Sequence, residues 1–395
     1  MRSFGLLWFA YFAAVGVFSP YAPLWFKSLG LSTLAIGGLA SMQAWTRLLA
    51  PYAWSWVADH TGQRVRLIQL AALAALLAAL GLALVPGLPA GPMLALLVAW
   101  LFMANGGVVP LAESALAQKL TTDKGLDVAR YGRVRVWGSL GFIVAVAVAG
   151  PLLQWLGIGQ FAWLIVVLYA ALLAMALRLP AVRDSGHEAQ APPPVWPILR
   201  QPVVAWFFAS VFFTVLAHVG LYAFFSLYLD QMGYGKSAVG ALWAVSVAGE
   251  MVFFYSQGRW FARLTPHSWL QWVAGATALR FAATAMSGGT LWVLVIAQAA
   301  HAITFGAHHA ACIAMVARHF PGRLRGRGQA LYSALGYGLS GLVGGVGGGW
   351  LIEHLGFAAV FWASALAGLL AWVCVGLSAR AVSERGVDSG GSSGA

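Results

Sequence analysis

The chain has 395 residues, of which 61% are hydrophobic and 9% are charged. A soluble protein carries roughly 25% charged residues to keep its surface wet, so this composition excludes a set of soluble domains and makes lipid the outer solvent. The net charge is +12, yet a chain this apolar has no basic face to offer a nucleic acid. Its two cysteines, Cys312 and Cys374, sit in apolar runs and leave no disulfide framework. The protein reads as an integral membrane protein.

A spanning helix needs about 20 mostly apolar residues, because lipid offers no partner to a free backbone group. Such runs cover 4–26, 34–57, 67–86, 92–118, 134–153 and 161–179. They resume at 202–229, 237–257, 269–287, 290–317, 329–352 and 358–378. The first run is too long for a secretory signal and lacks a small-residue cleavage site, so it is expected to be retained. The pattern predicts an all-α membrane protein of twelve helices in two sets of six. Its domains would be 1–180, a cytoplasmic linker at 181–201, 202–380, and a disordered cytoplasmic tail at 381–395. The linker carries Pro192, Pro193 and Pro194, and the tail is rich in glycine and serine.

Basic residues orient the chain. With the N-terminus in the cytoplasm, nineteen of the 23 Lys and Arg fall on the inner side, among them Arg2, Arg64, Arg66, Arg130, Arg200, Arg318 and Arg380. Only Lys27 and Lys236 fall outside, while Arg47 and Arg280 lie within spans. So uneven a distribution places both termini in the cytoplasm by the positive-inside rule. It also accounts for the basic charge without an acidic partner.

The two sets of six align in places. Ala35-Ile36-Gly37 matches Ala238-Val239-Gly240, and at the same offset of 203 residues Lys27 matches Asp230, Gly30 matches Gly233 and Arg47 matches Glu250. Parallel six-helix repeats are the architecture of the major facilitator class. After the second run, Ser55-Trp56-Val57-Ala58-Asp59-His60-Thr61-Gly62-Gln63-Arg64 resembles that class's gating pattern G-x-L-A-D-R-x-G-R-R. Asp59, Gly62 and Arg64 are in place, whereas Ser55 stands for the first glycine and His60 for an arginine. An ordinary tight turn at the membrane surface is the other reading.

Ionisable residues inside apolar runs cost about 2.5–3.5 kcal/mol each on insertion scales, so each needs a reason. They are Arg47, Glu113, Glu250, Arg280, His301, His308 and His309. On a regular helix His301 and His308 share a face, and His309 is turned about 80° from His301. A carboxylate, an arginine and histidines at similar depth can hold and release a proton. A structural ion pair that locks helix packing is the alternative for Glu250 and Arg280. Zinc needs three or four convergent ligands, and no HExxH or CxxC spacing occurs; no metal or cofactor is expected. His218 stands alone in the seventh run and reads as a hydrogen-bonded packing residue.

In the fourth and fifth runs, Pro110-Leu111-Ala112-Glu113 and Tyr131-Gly132-Arg133-Val134-Arg135-Val136-Trp137-Gly138 resemble the phenylpropionate permease family and, more distantly, lactose permease. Both are proton symporters. The resemblance to phenylpropionate permease runs along the chain through Arg47, Ala248-Gly249-Glu250, Arg280, and the His301…Thr304-Phe305…His309 pattern. It implies Arg47, Glu113, Arg135 and Arg280 as substrate-binding residues, with Arg280 or Arg47 holding a carboxylate. It implies Glu250, His301 and His309 in proton coupling, although the carboxylate that lactose permease carries below its span-ten histidine is missing. Tryptophan and phenylalanine within the spans suit a flat aromatic acid, but most of the chain's aromatics must face lipid. Gly341, Gly345 and Gly349, four residues apart, would let the eleventh helix pack closely.

These readings lead to a secondary transporter of the bacterial cytoplasmic membrane, acting as a monomer on a small aromatic carboxylate and protons. A sugar or nucleoside symporter is the nearest alternative, favoured by Glu113 and Arg135. An intramembrane enzyme built on Glu250 and the histidines is the remote one, opposed by the absence of a nucleophile–base motif.

Overall fold

The structure is a computed structural model that describes residues 1–84, 91–122, 125–180 and 194–390. Among the described residues, each apolar run forms helix. In chain order these are α1 (Arg2–Ser28), α2 (Thr33–Thr61), α3 (Arg64–Leu84), α4 (Gly91–Leu120), α5 (Val128–Leu156) and α6 (Phe161–Leu177). A four-residue α7 (Trp196–Leu199) precedes α8 (Pro202–Gln231), α9 (Lys236–Ser256) and α10 (Pro266–Met286). Then come α11 (Leu291–Ala299) with α12 (His308–His319), α13 (Arg325–Leu331) with α14 (Ser340–Leu355), and α15 (Phe357–Gly390). Among the described residues the departure from an all-α fold is a two-residue antiparallel ribbon, Thr121–Thr122 with Gly125–Leu126.

Ten helical segments among the described residues are long and apolar enough to cross a membrane. α2 and α10 are not among them. These two helices carry Arg47 and Arg280, with polar company at Gln43 and Thr46 in one and His267, Ser268 and Gln271 in the other. Helix ends follow from local chemistry. Ser32, Asp127 and Thr265 cap α2, α5 and α10 by accepting a backbone N–H in the first turn. α15 continues to Gly390, through ten residues expected to lie in a disordered tail. Ala379 to Arg385 contains no glycine or proline to stop it. The expected linker falls largely on residues 181–193, which lie outside the described residues, as do 391–395.

The chain divides into two compact units. One takes Met1–Glu188 with Tyr222–Val247, and the other Ala189–Leu221 with Ala248–Ala395. In the first, α1 and α5 meet backbone to backbone: a Cβ on Gly16 would lie 2.8 Å from the Phe142 carbonyl, and one on Gly141 would strike the Phe9 carbonyl. In the second, Val204, Phe207, Val211, Cys312, Met315, Phe320 and Val375 form a buried core. Gly328 lets Phe320 approach closely, and Gly336 and Gly344 do the same for Val211 and Val219 of α8. Ser340, between them, donates to the Phe212 carbonyl (3.0 Å).

The hairpin formed by the end of α8 and the start of α9 belongs to the second set of six by sequence but packs in the first unit. Lys27 and Asp230, the residues matched across the repeat, form an ion pair at 2.8 Å. Gln154 Oε1 accepts the Ser237 N–H (3.0 Å), one of the orphan donors of the first turn of α9. The Tyr21 hydroxyl lies 3.1 Å from the Val146 carbonyl and 3.2 Å from that of Lys236. Gly240 leaves the room for this approach, since a Cβ there would strike both the Tyr21 hydroxyl and Val146.

Candidate functional site

In the first unit, α4 and α5 present a carboxylate and a guanidinium to each other. Arg135 Nε lies 3.9 Å from Glu113 Oε1, and both side chains are open, at 35% and 42% exposure. The Arg135 guanidinium sits over two rings of α1, 4.4 Å from the centre of Phe12 and 4.8 Å from that of Trp8. Its electron-poor plane is held against their π faces. Gly138 makes this possible: a Cβ there would lie 2.7 Å from Phe12 and 2.8 Å from Arg135 Nη1. Tyr131 bonds Glu113. Arg47, Arg135 and Glu113 all lie within electrostatic reach of the Tyr11 hydroxyl, and Arg47 is exposed. Three of the expected substrate-binding residues are therefore gathered here, with Trp8, Tyr11, Phe12 and Tyr131 as company that the sequence reading did not single out for this site.

The residues of the expected gating motif also come together. Gly62 ends α2 in the left-handed conformation (φ 64°), its N–H bonded to the Ala58 carbonyl, a geometry that favours glycine. The chain then reverses so that Arg64 Nη2 bonds Asp59 at 2.8 Å while Nη1 donates to Ser114 of α4. That pairing supplies the cation needed by a carboxylate near a helix C-terminus. His60, at the usual arginine position, donates from Nδ1 to the Trp56 carbonyl (2.8 Å) and lies against the Trp56 ring.

In the second unit Arg280 is 5% exposed. Its Nη1 donates to His301 Nδ1 (2.9 Å) and Thr304 Oγ1 (2.8 Å), and its Nη2 to Gln298 Oε1 (3.0 Å). His301 Nε2 lies 3.0 Å from Glu250 Oε1. These contacts fix the hydrogens. A guanidinium only donates, so His301 Nδ1 accepts, its proton sits on Nε2, and that proton is given to Glu250. On the other branch His218 Nδ1 donates to the Thr214 carbonyl (2.8 Å), so Nε2 accepts from the Thr304 hydroxyl (3.1 Å). The result is a directed network: Arg280 to His301 to Glu250, and Arg280 to Thr304 to His218. Arg280, expected to hold a substrate carboxylate, is here buried and engaged with protein acceptors.

The histidine geometry differs from a regular helix. Ala302–Ala307 winds as a π-helix, and its wider turn changes the register of the residues after it. The rings of His301, Phe305 and His309 consequently stack, 5.1 Å apart at 12° and 6.3 Å apart at 14°. A regular helix would turn His309 about 80° away from His301. His308 bonds Cys312 Sγ (3.3 Å). His309 Nδ1 meets Tyr332 (3.2 Å), and Tyr332 meets Tyr337 (3.3 Å). Thr304, Gln298 and His218 are network members that sequence reasoning gave no such role. The one available signal was their spacing, with Gln298, His301 and Thr304 three residues apart.

Helices of membrane-spanning length and apolarity define a multi-pass membrane protein, with a charge cluster in each of its two units. A family model described as the MFS_1 like family matches residues 1–363, and the chain belongs to that family. It is 30% identical over 380 residues to a probable 3-phenylpropionic acid transporter of Escherichia coli (strain K12), covering 93% of this chain and 95% of the relative. It is 26% identical over 362 residues to a maltose permease of Geobacillus stearothermophilus, covering 91% and 89%. The crystal structure of the nucleoside transporter NupG superposes with a TM-score of 0.78 at 17% identity, covering 95% of this chain and 98% of that one. The relatives and fold neighbours are transporters, not enzymes.

Proposed function

We propose that this protein is a proton-coupled symporter that imports a small aromatic carboxylate by alternating access. In this reading it spans the bacterial cytoplasmic membrane twelve times as two six-helix repeats, with both termini in the cytoplasm, and works as a monomer. The observation that carries the proton coupling is the Arg280–His301–Glu250 chain. His301 cannot take a second proton while Arg280 donates to its Nδ1, so Glu250 is the group that gains and loses the transported proton. His301 is then a positioning residue, and Arg280 balances the charge of Glu250 in place of gripping solute. The solute carboxylate falls to Arg135 and Arg47, which are open, with Trp8 and Phe12 beside Arg135 for an aromatic ring. The relationship to a probable 3-phenylpropionic acid transporter supports the substrate class.

The test is uptake of 3-phenylpropionate into proteoliposomes under an imposed pH gradient. The native protein should accumulate the acid. Glu250→Gln, which holds the protonated form permanently, should lose accumulation yet retain one-for-one exchange, because exchange requires no net proton release. Accumulation against a gradient by Glu250→Gln would exclude Glu250 as the coupling residue.

A second reading, a sugar or nucleoside symporter, is favoured by the open Glu113–Arg135 pair, which offers both an acceptor and donors to hydroxyl groups. Proton-driven uptake of maltose or a nucleoside, with none of the acid, would establish it.

A further inference from the structure

A groove of about 710 Å³ runs along α10 and α15, on residues that neither charge cluster uses. Its floor is made small by Gly275 and Ala276, and it is flanked by Trp272, Leu279 and Trp372, which are 69%, 73% and 49% exposed. The two helices touch beneath it: Gly368 admits the Ala278 backbone, and Gln271 donates to the Trp372 carbonyl (3.2 Å). The groove is thus a furrow on the outer face of a closed helix pair. From His267 to Leu279 it extends about 18 Å at 1.5 Å per residue, close to the roughly 15 Å depth of one leaflet.

The ends of the furrow differ in chemistry. Toward Leu279 it is hydrocarbon. At the other end lie His267 and Ser268, in the first turn of α10, and Ala379, which is followed by the exposed Arg380. The exposed Arg318 lies within electrostatic reach of His267, and the exposed Arg263 precedes it by four residues. Among the described residues no acidic side chain lines this end. A leaflet-long, largely apolar furrow with arginines near one end suits an amphipathic anion. We propose that this groove binds an anionic phospholipid, with an acyl chain between Trp272 and Trp372 and its phosphate at Arg263, Arg318 and Arg380. The assignment is independent of which solute is carried and of which side of the membrane holds the arginines.

Native mass spectrometry of the purified protein, delipidated and then exposed to mixed micelles of phosphatidylglycerol and phosphatidylcholine, tests it. The native chain should retain one phosphatidylglycerol in preference to phosphatidylcholine. Arg263→Gln, Arg318→Gln and Arg380→Gln should each weaken retention about fivefold, as expected for a basic residue at a lipid surface. Gly275→Leu, which fills the floor from an outward position, should abolish it; the three surface arginine variants keep the test informative should Gly275→Leu misfold. Equal retention of the two lipids, or retention unaffected by all four variants, would overturn the proposal. So would a spectrum dominated by protein dimers that Gly275→Leu disrupts, since the furrow would then hold a second copy. Competition by soluble glycerol phosphate as effective as that by the lipid would likewise exclude an acyl-chain site.

Discussion

Arg280 imposes its chemistry on its neighbours because it can only donate. The sequence marked Arg280, Glu250 and His301 plainly, since a charge in an apolar run is costly and therefore conspicuous. Thr304, Gln298 and His218 were not legible in the same way: a threonine, an amide or a lone histidine in a membrane helix satisfies itself locally often enough to carry no message. Thr304 accepts from Arg280 and donates to His218, so Thr304→Val leaves a buried guanidinium hydrogen without its acceptor. It should destabilise the solubilised protein by about 1–3 kcal/mol, read as a lowered Tm, while Thr304→Ser should restore most of the loss. Arg135 has the opposite character, half open and lying on aromatic faces. Arg135→Gln should weaken binding of an aromatic acid by about 1.5–3 kcal/mol, the value of a charged hydrogen bond, and barely alter binding of the corresponding amide. Isothermal titration with both ligands separates them, and equal losses would make Arg135 structural.

Among elements, the helices themselves were legible from hydropathy, and their departures from regularity were not. A run such as 290–317 announces a helix, but nothing in its 3.6-residue pattern announces the π-helical turns at Ala302–Ala307 that align the rings of His301, Phe305 and His309. The second π segment, Tyr332–Leu339, is equally silent in sequence and carries Tyr332 and Tyr337. The repeat offset of 203 residues matched Lys27 with Asp230 but did not announce that the two meet as an ion pair. This pair, Gln154 and Tyr21 fasten the α8–α9 hairpin to the first bundle. In an alternating-access cycle such a fastening has to open. Lys27→Asp should replace attraction by repulsion and weaken the fastening by about 0.2–1 kcal/mol, the usual scale of an exposed pair. Exposure of a cysteine introduced at Gln154 to a membrane-impermeant thiol reagent should rise, and the double variant Lys27→Asp with Asp230→Lys should bring it back.

For the molecule as a whole, composition alone excluded solubility, and the distribution of Lys and Arg supplied an orientation. The ten segments that meet the demands of a membrane crossing leave out α2 and α10, whose polar residues lower their hydropathy. The segment Leu291–His319 separates Thr290 from Arg325, so its crossing puts them on opposite sides. A cysteine at Thr290 should react with an impermeant reagent added to intact cells and one at Arg325 should not; Cys312 and Cys374, both buried, would contribute little background. The reverse result would invert the topology. One detail of the hairpin fastening bears on the speed of such a carrier. The Tyr21 hydroxyl has a single hydrogen and two carbonyls in range, at nearly equal distances. At any instant it can satisfy only one of them. When the hairpin withdraws and takes the Lys236 carbonyl with it, the hydrogen can turn to Val146 without ever standing bare. In the proposed alternating-access cycle this latch would let go by a swing of one bond, and its release would meet little friction there.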